Sequence, residues 1–361
     1  MGEVVNVARL SALRGKRVLV TGHTGFKGSW LCVALKELGA DVTGYALPPE
    51  GADSHFELLE LEKSIRHVVA DIRDSEKLQS VFDDTRPEIV FHLAAQALVR
   101  RSYDEPKLTF DTNVAGSVNV LEAVRNTASV RSFVYITSDK CYVNREWAWG
   151  YRENDELGGH DPYSASKAAA ELVFSAYQNS FFSRRAELGA ASTRAGNVIG
   201  GGDWARDRIV PDCIRSLQDK KSIVLRSPES TRPWQHVLEP LSGYLLLAAR
   251  MCEDAKNYSS AWNFGPRSNE IRTVKELVTK IVEQWGSGEI EIDARAPAFH
   301  EAGLLHLNCD KAHQLLGWHP RWDFEQTVIQ TVRWYCEILA GTPALTITRR
   351  QMHEFFGVRD D

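Results

Sequence analysis

The chain has 361 residues, 43% hydrophobic and 25% charged, an ordinary globular composition with room for a large core and two lobes. Its 43 basic and 48 acidic residues leave a net charge of −5, so electrostatics gives no reason to expect nucleic acid or an anionic membrane as a partner. The six cysteines (Cys32, Cys141, Cys213, Cys252, Cys309, Cys336) are scattered, without a CxxC or a His/Cys cluster of metal-ligand spacing, which fits free thiols in a reducing compartment and no metal site.

The first residues, MGEVVNVARLSALRGK, lack the apolar core of a signal peptide, and no stretch approaches the roughly 20 apolar residues of a membrane helix. A cytoplasmic protein is the expectation. KRVLVTG (16–22) is a short apolar run ending in glycine, followed by a helical pattern over 28–40. Strands are predicted at 41–47, 68–74, 88–95, 131–138 and 190–200. Helices are predicted over 75–83, over 112–128 and from Pro162 to about Phe182. This alternation predicts an α/β fold, a doubly wound parallel sheet covered on both faces. Beyond about residue 195 the rhythm loosens into loops rich in Arg, Trp and His, as suits a smaller lobe over a ligand. The expected division is a dinucleotide-binding domain over 15–194 and a mainly substrate-binding lobe over 195–350, with a partial return to the first domain around 233–266.

TGHTGFKG places Gly22, Gly25 and Gly28 between the first strand and first helix. Glycines there permit a tight turn and close backbone approach to a pyrophosphate, which the helix N-terminus then attracts. The spacing is GxxGxxG, and no acidic residue directly follows the second strand to hold a ribose; Glu50 and Asp53 lie beyond it. Asp71, at the end of the third strand, is placed to meet the adenine end of a dinucleotide.

PYSASK (162–167) puts Tyr163 and Lys167 on one face of a helix opened by Pro162. A nearby ammonium favours tyrosinate, so this pair suits proton transfer near neutrality. Tyr103 and Lys107 share the spacing, but Pro106 stands between them. The fifth strand ends in TSDK, where the hydroxyl of Ser138 or Thr137 completes the set and Asp139 and Lys140 are neighbours. A solvated turn is the plain reading of Asp139–Lys140; acid–base chemistry is the sharper one.

Together the glycine loop, the strand-end hydroxyls, the Tyr–Lys pair, HLAA (92–95) and TNVAGS (112–117) resemble the extended short-chain dehydrogenase/reductase family over nearly the whole chain. The resemblance implies a Rossmann sheet, a nucleotide-sugar-binding C-terminal lobe, and Ser138, Tyr163 and Lys167 as catalytic hydroxyl, proton-transfer tyrosine and supporting lysine. It implies NAD held by Gly22, Thr24, Gly25, Phe26, Lys27, Gly28, Asp71, Ile72, Leu93, Ala94, Ala95 and Asn113 together with Tyr163 and Lys167.

Within the family, TSDKCY, GHTGFKGSW, RAGNVIGGGDWARDRIVPD and RPWQHVLEPL resemble the nucleotide-sugar 4,6-dehydratases. Those of the dTDP-glucose type carry Thr-Asp-Glu where this chain has Ser138-Asp139-Lys140. The resemblance makes Asp139 the acid for a departing 6-hydroxyl, and leaves Lys140 either the base for the C5 proton or a cation stabilising the enolate. An ammonium beside Asp139 opposes an acid role, so the two are expected to titrate as a coupled pair. The resemblance further implies a cytidine-diphosphate hexose as substrate, held by Gln96, Arg101, Ser102, Asn197, Arg208, Arg232, His300 and Glu301, and a homodimer through the helix of Tyr163 and the one at about 106–126. Trp204 and Trp234 either stack on the base or pack between lobes. The nearest alternatives are a 4-epimerase, which needs no second acid–base pair, and a 4,6-dehydratase for another nucleoside-diphosphate hexose; a non-catalytic NAD-binding regulator is the second alternative.

Overall fold

The computed structural model describes Val5 and residues 7–293 and 303–358. Its centre is a seven-stranded parallel sheet of β1 (Arg17–Thr21), β2 (Asp41–Ala46), β3 (Arg66–Val69), β4 (Ile89–His92), β5 (Ser132–Ile136), β6 (Gly189–Arg194) and β7 (Ala261–Asn263). The strand order is β7-β6-β5-β4-β1-β2-β3. The order reverses between β4 and β1, which is where an open α/β sheet leaves a crevice at its carboxyl ends.

Period-two side-chain alternation sends neighbouring residues of one strand to different cores. Val18 and Val20 of β1 join the cluster that contains α1 (Phe26–Glu37), whereas Leu19 joins the opposite one. That opposite cluster gathers Leu78 and Phe82 of α2 (Ser75–Thr85), Val120 and Val124 of α3 (Ser117–Asn126), and Ala170 and Phe174 of α4 (Pro162–Ser180). With both faces covered, β5 is buried at every position. The first cluster runs on through α5 (Ile209–Gln218), α6 (Leu238–Glu253), α7 (Val274–Trp285), α8 (Phe324–Leu339) and α9 (Ala344–Phe356). No described helix is long and apolar enough to cross a membrane.

Three elements depart from the sequence expectation. The third strand ends at Val69 rather than running through 74, because Asp71 to Asp74 forms a turn and Asp74 caps α2 by accepting from the Lys77 N–H at 2.9 Å. The helix expected over 112–128 opens as a wide π-type turn over Asp111–Gly116 before α3 begins. The strand expected over 190–200 breaks at Gly196 and at Asn197, whose φ of 51° is left-handed; Val198–Ile199 then pairs with Gln235–His236 in a separate small sheet.

Candidate active site

The carboxyl ends of β1, β4, β5 and β6 open into a cleft of about 2010 Å³ that continues between the sheet and α5. A single small-molecule site usually occupies roughly 300–1,000 Å³, so this cleft has room for two ligands.

One half of it is backbone. Gly22 has φ +75°, and a Cβ there would stand 2.7 Å from the Ala94 backbone nitrogen. A Cβ on Gly28 would overlap the Gly22 carbonyl. The loop therefore lies flat against β4 and against the start of α1. Gly25 is the N-cap of α1 and supplies no side-chain partner to its first turn, so those N–H groups face the cleft with Phe26 and Lys27. This is a cradle for a pyrophosphate. Thr24, Asp71, Ile72, Leu93, Ala94 and Ala95 also line the cleft. Asp71 accepts from the Arg73 N–H at 2.8 Å, and the hydrogen-bonded Arg73 guanidinium, 2.6 Å away, holds its carboxyl below the usual range. At the β1–β4 seam, Thr21 and His92 share a 2.7 Å hydrogen bond; burial pushes the His92 imidazole down to about 3, so it is neutral.

The other groups converge on the ends of β5 and β6. Asp161 caps α4 by accepting from the Ser164 N–H at 2.9 Å, and Pro162 opens the helix with Tyr163 in its first turn. The Tyr163 N–H, without an intrahelical partner there, donates to the Ser102 hydroxyl at 3.2 Å. Tyr163 and Lys167 are both buried, with the Lys167 ammonium 6.0 Å from the Tyr163 ring centroid. Burial pushes the Tyr163 hydroxyl up to about 12, while a hydrogen bond from Ser138 and the charge of Arg208 pull it down. Burial also brings the Lys167 ammonium down to about 8, against the opposing pull of Glu171.

Asp139 is buried at the start of a tight turn, Asp139–Cys141. Its carboxylate accepts from the Ser138 hydroxyl at 3.0 Å and from the Asn197 amide at 3.4 Å. A Cβ on Gly196 would overlap that carboxylate, so the glycine of RAGN makes its pocket. Lys140 is half-buried and lines the cleft, but among the described residues no ion pair joins it to Asp139. The cations facing the same polar centre are Lys27 and Arg208; burial first, then Arg208 and Lys167, bring Lys27 down to about 8, and Asp139 opposes them.

The remaining expected residues divide. Asn197, Arg208 and Arg232 line the cleft, with Arg208 held at 2.9 Å by the buried carboxylate of Asp203 and Arg232 donating to the Thr231 carbonyl at 2.8 Å. Arg101 lines its mouth, paired with Glu105. Gln96 reaches the wall, but its amide donates to Leu98 and Thr109 and accepts from the Leu98 N–H. Ser102 and Asn113 sit behind the wall rather than in it. Ser102 is fully buried beneath Tyr163, and Asn113 clamps the Gln96 backbone to Ser166 of α4, which corrects their expected contact with ligands. Trp204 packs edge-on against Tyr335, and Trp234 donates to the Arg272 carbonyl, while both also line the cleft. His300 and Glu301 lie outside the described residues.

Sequence reasoning missed Glu171, Arg194, Gly196 and Asp203. Only Glu171 carried a usable signal, its position four residues after Lys167.

Three comparisons place this geometry among known proteins. The family model described as GDP-mannose 4,6 dehydratase matches residues 19–331. CDP-glucose 4,6-dehydratase of Salmonella typhimurium is 49% identical over 346 residues, 95% of this chain and 96% of that protein. dTDP-D-glucose 4,6-dehydratase of Mus musculus is 27% identical over 89% of this chain and 88% of that one. Among solved structures, Thermus thermophilus UDP-glucose 4-epimerase in complex with NAD superposes with a TM-score of 0.74 at 26% identity, covering 88% of this chain and 98% of that one.

Proposed function

This chain belongs to the GDP-mannose 4,6 dehydratase family, and from that membership we propose that it is a hydro-lyase converting CDP-glucose to CDP-4-dehydro-6-deoxy-glucose and water. The observation that carries the reading is Asp139, a buried carboxylate joined to Ser138 and Asn197 in the same cleft as Tyr163 and Lys167. A 4-epimerase has no use for that second acid. An intact Ser138, Tyr163 and Lys167 set argues against a non-catalytic regulator.

The cofactor is NAD, and the glycine cradle with the open first turn of α1 fits its pyrophosphate. Held by that cradle, NAD would supply the hydride acceptor for sugar C4 and the hydride donor for C6, which leaves no net redox change. Tyr163 takes the proton of the 4-hydroxyl while Ser138 holds the same oxygen. Lys167 supplies the positive charge that makes Tyr163 a competent base. The 4-ketone acidifies C5–H, whose proton leaves to Lys140 acting as base and returns to C5 once C6 is reduced. Asp139 protonates the departing 6-hydroxyl. Lys27 faces the same polar centre as Asp139, and burial brings its ammonium down to about 8. Arg208 and Arg232 bind the sugar diphosphate, and Asn197 orients it beside Asp139.

We place the enzyme in the cytoplasm, supplying a ketosugar for deoxysugar assembly of the O-antigen type. A homodimer joins through α4 and the neighbouring helix Pro106–Phe110, where Leu172 and Phe110 are exposed. Incubating the enzyme and NAD with CDP-glucose and, separately, with dTDP-, UDP- and GDP-hexoses tests the reading. The alkaline absorbance of a 4-keto-6-deoxy sugar is expected with CDP-glucose. Signal only with another base keeps the chemistry and overturns the substrate; C4 epimer without water loss overturns both.

A further inference from the structure

Glu171 lies on α4 four residues beyond Lys167, on the same helix face, and is 2% exposed. It does not itself line the cleft, and the mechanism above gives it no task. Its carboxylate is nonetheless fully engaged. One oxygen accepts from the Thr137 hydroxyl, next to Ser138. The other accepts from the Ser192 hydroxyl at 2.8 Å and from Arg194 Nη2 at 2.8 Å. Arg194 is itself buried; its Nη1 donates to the Tyr142 hydroxyl at 2.7 Å and to the Glu153 carbonyl at 2.9 Å. Tyr142 in turn donates to Asn263 of β7 at 2.8 Å.

These partners come from the elements that deliver the catalytic groups. Thr137 leads directly into Ser138 and Asp139. Arg194 leads through Ala195 into Gly196 and Asn197. Glu171 shares its helix with Tyr163 and Lys167. The geometry points to Glu171 as a positioning residue for the reaction: it fastens these three elements to one another and sets a buried negative charge one helical turn behind Lys167.

Lys167 faces Tyr163 and Glu171 on its own helix, Cys141 after β5, His92 at the end of β4 and Lys27 on α1. Of these, His92 is neutral and Lys27 repels it. Glu171 is the carboxylate that opposes the burial of Lys167, with Cys141 second. Lys167 must carry its proton to assist Tyr163, so Glu171 sets how far into alkaline pH the enzyme works. A carboxylate at this place is required by charge, and the same hydrogen bonds with a neutral amide do not replace it.

The inference rests on the proposed dehydratase chemistry only in what Lys167 is for, so the test reads Lys167 directly. Competitive acetylation of the wild-type protein across pH, read by peptide mass spectrometry, reports the midpoint of the Lys167 amine. In Glu171→Gln that midpoint is expected to fall by about one pH unit, and the alkaline limb of kcat/KM to fall with it. Glu171→Asp keeps the charge on a shorter arm, so kcat drops while midpoint and limb stay. Should Glu171→Gln leave Arg194 too costly to bury, the pair Glu171→Gln with Arg194→Gln removes both charges, and a smaller downward shift is expected because the repelling Arg194 cation leaves as well. An unmoved midpoint in Glu171→Gln, or equal loss of kcat in the Gln and Asp variants without a shift, overturns the charge role. Failure of the wild-type protein to act on CDP-glucose leaves the midpoint result standing and overturns the substrate reading alone.

Discussion

On the dinucleotide side of the cleft, Gly22 and Gly28 leave no space for a Cβ, and the first turn of α1 presents its own N–H groups. On the side proposed for the sugar diphosphate, Arg208 reaches in from the N-cap of α5 and Arg232 from the short strand Thr231–Arg232, steadied by Asp203 and by the Thr231 carbonyl. The first half is shaped by backbone, the second by long side chains with protein partners. Backbone sites tolerate no substitution at the contact; side-chain sites lose affinity in steps. Tyr163, Lys167, Ser138 and Asp139 stand at the border, where rigid elements hold side chains.

That contrast orders the expected effects. At the border, Tyr163→Phe removes the proton acceptor and is expected to lower kcat by about 10²–10⁴-fold with KM little changed; a loss confined to KM would move Tyr163 to the binding half. Gly196→Ala pushes a methyl group into the Asp139 carboxylate. Because misplacing a reacting group by about 1 Å costs on the order of 10²-fold, dehydration is expected to fall by that factor while NAD binding persists. On the backbone half, Gly22→Ala is expected to weaken NAD by at least about tenfold, the cost of an L-residue at positive φ, read by cofactor titration. Retained NAD would show that the loop yields and break the contrast. On the side-chain half, Arg208→Lys keeps the charge, loses fork geometry and is expected to raise KM about tenfold with kcat preserved.

The smallest effect concerns stability. Glu239, at the start of α6, accepts from the Arg321 and Trp322 N–H groups, and burial raises its carboxyl from 4.5 to about 8. The folded protein therefore holds this proton more tightly than the unfolded chain does. Its stabilising contribution is complete below about pH 4.5 and is lost as pH rises through 8. Glu239→Gln is expected to narrow the difference between urea midpoints at pH 5.5 and 8.5.

What could be read from the sequence follows the same division. Tyr163 and Lys167 were legible because helical spacing and Pro162 fix their common face, and the glycines because only glycine serves a turn closed on backbone. Strands buried on both faces announced themselves as apolar runs. Ser102 and Asn113 were misplaced because a motif gives position along the chain and not which side of a wall the side chain meets. Asp139 and Lys140 are adjacent in sequence, yet the turn at 139–141 directs Asp139 to Ser138 and Asn197 instead. The Glu171–Arg194 pair joins residues 23 apart through a buried contact, which no local pattern encodes.

The central claim is that Asp139 turns an oxidising Tyr–Lys site into a dehydrating one. Asp139→Asn, incubated with NAD and CDP-glucose in deuterated water, tests it most directly. The account predicts deuterium at C5 of the recovered sugar while 4-keto-6-deoxy product falls by at least about 10²-fold. Product formed at the wild-type rate would contradict it.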